Sequence, residues 1–101
     1  MGVYIIAQLK FTNIERYRTY QREFPAIFSK FNGAAIVADE EPSEVEGQWP
    51  FDKLVILYFP NQGEALRFQK STDYLRISED RKAGAQATVL IAQGANIQTV
   101  S

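Results

Sequence analysis

The chain has 101 residues, 46% of them apolar and 23% charged, which suits one globular domain (residues 1–101) with one core and excludes a disordered, fibrous or multidomain chain. Eleven Lys and Arg against 12 Asp and Glu leave a formal net charge of −1, without the basic excess that nucleic-acid binding requires. With no Cys and no His, disulfides, thiolate zinc sites, cysteine nucleophiles, histidine bases and histidine-ligated haem are excluded as well.

From Val3 to Phe11 the apolar residues Val3, Ile5, Ala7, Leu9 and Phe11 alternate with Tyr4, Ile6, Gln8 and Lys10, which is a strand period. This opening carries no basic segment and its apolar run breaks at Gln8 and Lys10, so no signal peptide or membrane span is expected and the protein reads as cytoplasmic. Thr12-Asn13-Ile14-Glu15 offers a capping box, with the Thr12 hydroxyl accepting from the Glu15 amide. Ile14, Tyr17, Gln21, Phe24, Phe28 and Phe31 then share one helical stripe, widened by Tyr20 and Ile27, and Asn32-Gly33 is the stop. Pro25 has no amide proton to donate, which predicts a kink or break near Phe24 and room beneath the helix.

Ala34 to Ala38 reads as a second strand, Asp39-Glu40-Glu41-Pro42-Ser43 as a polar reversal, and Glu44 to Glu46 as a continuation of the ladder at its edge. Lys53 to Phe59 is the strongest strand, closed by Pro60-Asn61. Asn61 and Glu64 cap a helix through Ala65, Leu66, Phe68 and Gln69, which pauses at Ser71, a fresh N-cap, and continues through Tyr74, Leu75 and Ile77 to about Lys82. Gly84 ends it, and Ala87 to Ala92 forms a last strand before Gly94 and a polar tail.

Strand, helix, strand, strand, helix, strand is the ferredoxin-like α+β arrangement. Two helices cover one face of a four-stranded sheet, yet the third strand is apolar on both faces, so a second subunit is expected to cover the other face and the protein to be a homodimer.

Tyr17-x-x-Tyr20 with Pro25, Glu46-Gly47-x-Trp49, Phe59-Pro60, and Ser71-x-x-Tyr74 with Arg81 ten positions beyond Ser71 follow one another in an order that resembles the dimeric alpha+beta barrel superfamily. More narrowly, the chain resembles the family called domain of unknown function 1330 over nearly its whole length. It departs from that pattern at Gly33-Ala34, where paired glycines are usual, at Lys53, where Arg is usual, and at Phe68-Gln69, where Trp or Tyr is frequent. The resemblance implies a homodimer and cofactor-independent monooxygenase, isomerase or cyclase chemistry on a small metabolite.

Ser71, Tyr74 and Arg81 are the leading candidate constellation: two residues on one face of a helix start, where anions are favoured, and a guanidinium able to clamp a carboxylate or enolate. Glu46 and Trp49 flank a glycine in a loop, a place where a carboxylate buried beside an indole would have a raised pKa and move protons. Tyr17 and Tyr20 belong to the core stripe, with phenols that reach a ligand carbonyl. The candidate catalytic set is therefore Glu46, Tyr74 and Arg81, with Tyr17, Tyr20, Trp49 and Ser71 binding ligand, and with Glu46 or a phenolate as base.

Asp39, Glu40, Glu41, Glu44 and Glu46 match no calcium loop, so no metal and no cofactor is expected. Arg16, Arg18 and Arg22 make the first helix basic on its outer side, a solvated face or a weak contact for another chain's acidic hairpin. Lys53-Leu54-Val55-Ile56-Leu57 lacks the third-strand pattern of an RNA-recognition domain. The expected function is binding of a small aromatic or carboxylate-bearing metabolite between helices and sheet. The alternative is a non-catalytic ligand-sensing or interaction module, recognisable by a cleft filled with Phe68 and Trp49.

Overall fold

In the computed structural model, which describes residues 2–95, the alternating apolar residues build a four-stranded antiparallel sheet carrying three helices. In chain order these are β1 (Val3–Phe11), α1 (Ile14–Phe28), β2 (Ala34–Asp39), β3 (Lys53–Phe59), α2 (Gln62–Gln69), α3 (Thr72–Gly84) and β4 (Ala85–Gln93). The sheet order is β2-β3-β1-β4, the ferredoxin-like α+β topology that the element order implies. The polar tail beyond Ala95 lies outside the described residues. Among the described residues no helix is long and apolar enough to cross a membrane.

Strand parity decides what each face does. Val3, Ile5 and Leu9 of β1 and Leu57 and Phe59 of β3 are buried toward the helices, which answer with Tyr17, Tyr20, Ile27, Ala65, Phe68, Tyr74 and Ile77. Phe68 is the hub: its ring lies 4.5 to 5.9 Å from those of Phe24, Phe28, Phe31, Phe59 and Tyr74. The opposite parity, Tyr4, Ile6, Leu54, Ile56 and Leu90, forms the outer face, in register as Ile6 with Ile56 and Leu90. Among the described residues no helix covers it, and Leu90 stays 52% exposed.

Five local expectations change. Asn13, not Thr12, caps α1, its side chain accepting from the Arg16 amide while its backbone sits in the extended conformation a cap needs. The helix ends at Phe28 in turns closed by bonds from the Lys30 and Phe31 amides to Ile27 and Phe28, so Phe31 packs on Phe68 from outside it. It also runs unbroken through Pro25, because the missing amide removes one bond to the Gln21 carbonyl while the Phe24, Ile27 and Phe28 side chains hold the last turn to the core.

Glu44 to Glu46 is irregular loop and not an edge strand: residues 40–52 leave the ladder after Asp39, as the Pro and Gly content dictates. The end of α3 meets β4 with no loop between, so β4 starts at Ala85, two residues before the apolar run.

Asn61 and Ser71 cap α2 and α3 as their sequences specify. The Ser71 cap also sets the helical phase of α3. Tyr74, Ile77 and Arg81, spaced three and four apart, fall on its inner face against α1.

Candidate functional site

A cavity of about 210 Å³ lies between α1, α3 and the helix-facing side of the sheet. Tyr17, Tyr20 and Phe24 of α1, spaced three and four apart, form its roof with Pro25, and Tyr74 and Arg81 of α3 close one side. The floor is Ile5, Ala7 and Leu9 of β1 and Lys53, Val55 and Leu57 of β3. The mouth opens between α1 and the edge strand β2, at the exposed residues Gln21, Pro25, Ala35 and Ala38. The cavity is not filled by Phe68, which sits fully buried in the neighbouring core.

The polar groups gather around Tyr17. The Lys53 ammonium lies 5.0 Å from the Tyr17 ring centroid and 3.5 Å from a Glu40 oxygen. The two Arg18 nitrogens donate to the same carboxylate at 2.5 and 2.8 Å. Burial pulls the Lys53 pKa down, with Glu40 opposing, and the Arg18 hydrogen bonds pull the Glu40 carboxyl down.

Arg81 brings a second cation, and its buried Nε has no hydrogen-bond partner. Its acidic neighbour Asp80 is taken instead by Arg16 at 2.7 Å, and among the described residues Arg81 makes no ion pair. A buried guanidinium N–H left unpaired is costly, and this one belongs to a side chain lining a cavity.

The phenols are donors here, not bases. Burial, with the Glu40 charge next, raises the Tyr17 pKa to about 12, although Arg18 and Arg81 draw it down. Tyr20 is pushed well above its ordinary value by burial and then by Tyr74, whose hydroxyl shares a 3.2 Å hydrogen bond with its own. Near neutral pH these groups present O–H donors to whatever enters.

Of the residues singled out in the sequence, Tyr17, Tyr20, Tyr74 and Arg81 converge on the cavity and the others do not. The Ser71 hydroxyl accepts from the Tyr74 amide at 3.2 Å and donates to the Phe68 carbonyl at 2.9 Å, so it caps α3 away from the lining. Trp49 lies across the sheet: its indole N–H donates to Gln8, on the outer face, at 2.9 Å, and with Lys10, Pro50, Phe51 and Thr88 it lines a wide, open cleft. Glu46 is exposed in the loop and is not beside Trp49's ring in a closed pocket, because Gly47, at φ +76°, turns the chain between them.

Two acidic groups of the hairpin are held locally. Glu44 accepts from the Trp49 amide, Asp39 from the Glu41 amide, and among the described residues no acidic cluster is arranged for a metal. Arg18 of the basic helix face holds Glu40 of its own chain.

Lys53 is the site residue that the motif reading missed. Its signal was parity: it shares a face with Val55, Leu57 and Phe59, so a lysine at that position points inward.

The family model for domain of unknown function 1330 (DUF1330) matches residues 2–95. Among curated proteins nothing matches the chain. Among solved structures, a protein of unknown function from Rhodopseudomonas palustris superposes with a TM-score of 0.79 at 12% identity, covering 94% of this chain and 83% of that one. SnoaB, a cofactor-independent oxygenase from Streptomyces nogalater, gives 0.69 at 8% identity with 96% of each chain covered. A dimeric protein of unknown function with a ferredoxin-like fold from Bacteroides fragilis gives 0.65 at 8% identity, covering 92% and 96%. At these identities the likeness is one of fold.

Proposed function

The chain belongs to the DUF1330 family, and we propose that it is a homodimeric protein that binds a small aromatic or carboxylate-bearing metabolite in the cavity under α1. The observation that carries this reading is Arg81: a guanidinium with a buried, unpartnered Nε on the wall of an open cavity. A ligand oxygen would accept from the Arg81 guanidinium, while Tyr17 and whichever of Tyr20 and Tyr74 does not donate to the other supply O–H donors from the roof and side. The homodimer rests on the outer face, where Tyr4, Ile6, Leu54, Ile56 and Leu90 form an apolar surface that a second copy covers.

The chemistry such a site favours is stabilisation of negative charge on a bound enolate, phenolate or carboxylate, as oxygenase and isomerase reactions without a cofactor require. SnoaB supports that direction by fold alone. The lining supplies no carboxylate, Tyr17 and Tyr20 hold their protons and Lys53 is a cation, so the proton acceptor in any such reaction is a basic group of the ligand itself. That same lack of an obvious base favours the second reading, a dimeric ligand sensor without catalysis.

The test is a thermal-shift screen of the purified protein against small aromatic acids and keto acids, repeated with Arg81→Ala and Tyr74→Phe. A ligand that stabilises the parent and not Arg81→Ala supports the site, and turnover of that ligand then separates enzyme from sensor. No stabilisation across the set, with both variants folded, refutes the proposal. Sedimentation at micromolar concentration tests the dimer, which Ile56→Lys is expected to convert to monomer.

A further inference from the structure

The charges around the cavity do not balance. Its lining carries Lys53 and Arg81 and no Asp or Glu. Glu40 touches Lys53 at 3.5 Å, but Arg18 grips both oxygens of that carboxylate, so the Arg18–Glu40 pair sums to zero and the Lys53 charge stays uncompensated. Lys53 is only 4% exposed. A cation held at such depth without a full partner carries a desolvation penalty that an anion beside it would offset.

Both cations line the cavity with Tyr17. Lys53 lies 5.0 Å from the Tyr17 ring, and the Arg81 charge acts on the Tyr17 phenol. Most of the remaining wall is apolar, built by residues such as Ile5, Leu57, Phe24, Pro25 and Val37, with Gln21 and Gln69 as uncharged polar members. The cavity thus sets two cations against a largely apolar wall. Its size sets a limit: a cavity of about 150 Å³ holds benzene, so the roughly 210 Å³ here takes one six-membered ring with one small substituent.

We propose that the cavity takes its ligand as an anion with a single charged head group, seated between Lys53 and Arg81 beside the Tyr17 hydroxyl, with a one-ring apolar body and with Lys53 selecting for charge. This rests on the reading of the cavity as the ligand site. Lys53 and Arg81 then differ in duty. Arg81 offers planar N–H donors that fit any oxygen acceptor, whereas the compact Lys53 ammonium gains chiefly from net charge on the ligand.

Benzoate and benzamide test this, being alike in shape and different in charge. Titration calorimetry of the full-length protein at neutral pH is expected to show benzoate binding at least about tenfold tighter than benzamide, a gap of roughly 1.4 kcal/mol. Lys53→Met, which keeps the apolar stem, is expected to bring the two affinities within about threefold, and Lys53→Arg to keep the preference, since the first removes the charge and the second retains it. Equal binding of both compounds by the parent overturns the charge inference and leaves the cavity reading intact. A preference unchanged in a folded Lys53→Met protein overturns the role of Lys53. If neither compound binds, nor cyclohexanecarboxylate, the cavity reading and the inference fall together. Should Lys53→Met not fold, the parent and Lys53→Arg still decide between charge selection and none.

Discussion

Gly84→Ala sets two well-known effects against each other, and the structure decides between them. Gly84 is the last residue of α3, where helix propensity alone favours alanine by up to about 1 kcal/mol. Its carbonyl accepts from the Thr12 amide at 2.9 Å and the Asn13 amide at 3.0 Å, so the end of α3 is clamped to the start of α1 backbone to backbone. A Cβ added there would stand 2.8 Å from the Asn13 carbonyl oxygen and 2.9 Å from the Tyr17 Cα, and closer still to the Tyr17 nitrogen. These neighbours are main chain, with no rotamer to swing aside.

Overpacking of this kind destabilises by about 1–3 kcal/mol, and a rigid neighbour puts the value at the upper end. Subtracting the propensity gain leaves a net loss of about 1–2 kcal/mol, or a fall in thermal midpoint of roughly 5–15 °C for a domain of this size. Gly63→Ala in α2 is the control. There the nearest atom is the Asn61 cap oxygen at 3.3 Å, and the expected change is within about 0.5 kcal/mol. Circular dichroism melts of the three proteins make the comparison. A Gly84→Ala midpoint equal to or above the parent's would refute the account, and with it the claim that this contact clamps the end of α3 tightly to the start of α1.

Phe68→Ala is expected to lose about 3–5 kcal/mol in urea unfolding, because five rings close on a fully buried side chain that has no exposed route for relaxation. A loss below about 1 kcal/mol would mean that the aromatic hub collapses to fill the gap. Alkaline stability should fall through Tyr17: its folded pKa of about 12 exceeds the ordinary 10.0, so the folded state binds the proton more tightly. That contribution is complete below pH 10 and is lost as pH rises from 10 toward 12. Tyr17→Phe should therefore flatten the decline of the urea midpoint between those pH values, leaving the part due to Tyr20. An unchanged slope in Tyr17→Phe would remove the phenol from the account.

The architecture was legible because its signals are local. Alternation in Val3 to Phe11, the caps at Asn61 and Ser71, and the unbroken run Leu54 to Phe59 each specify an element within a few residues. Gly84 was legible only in part. It reads as a helix stop, while its need for glycine comes from Asn13 and Tyr17, some seventy positions earlier.

The same limit governs the site. Tyr17, Tyr20, Tyr74 and Arg81 could be placed together because each sits on the inner stripe of its helix, and inner stripes of adjacent helices face one cavity. Glu46 and Trp49 could not, because position in a loop says nothing about which side of the sheet the loop will lie on; one hydrogen bond to Gln8 takes Trp49 to the outer face.

Lys53 shows what joins the two cases. Its inward parity is written in β3, but whether an inward lysine is neutralised depends on Glu40, across the irregular loop, and on how firmly Arg18 of another element holds that carboxylate. The charge a cavity presents is thus a sum over residues that meet only after folding, and here that sum is positive.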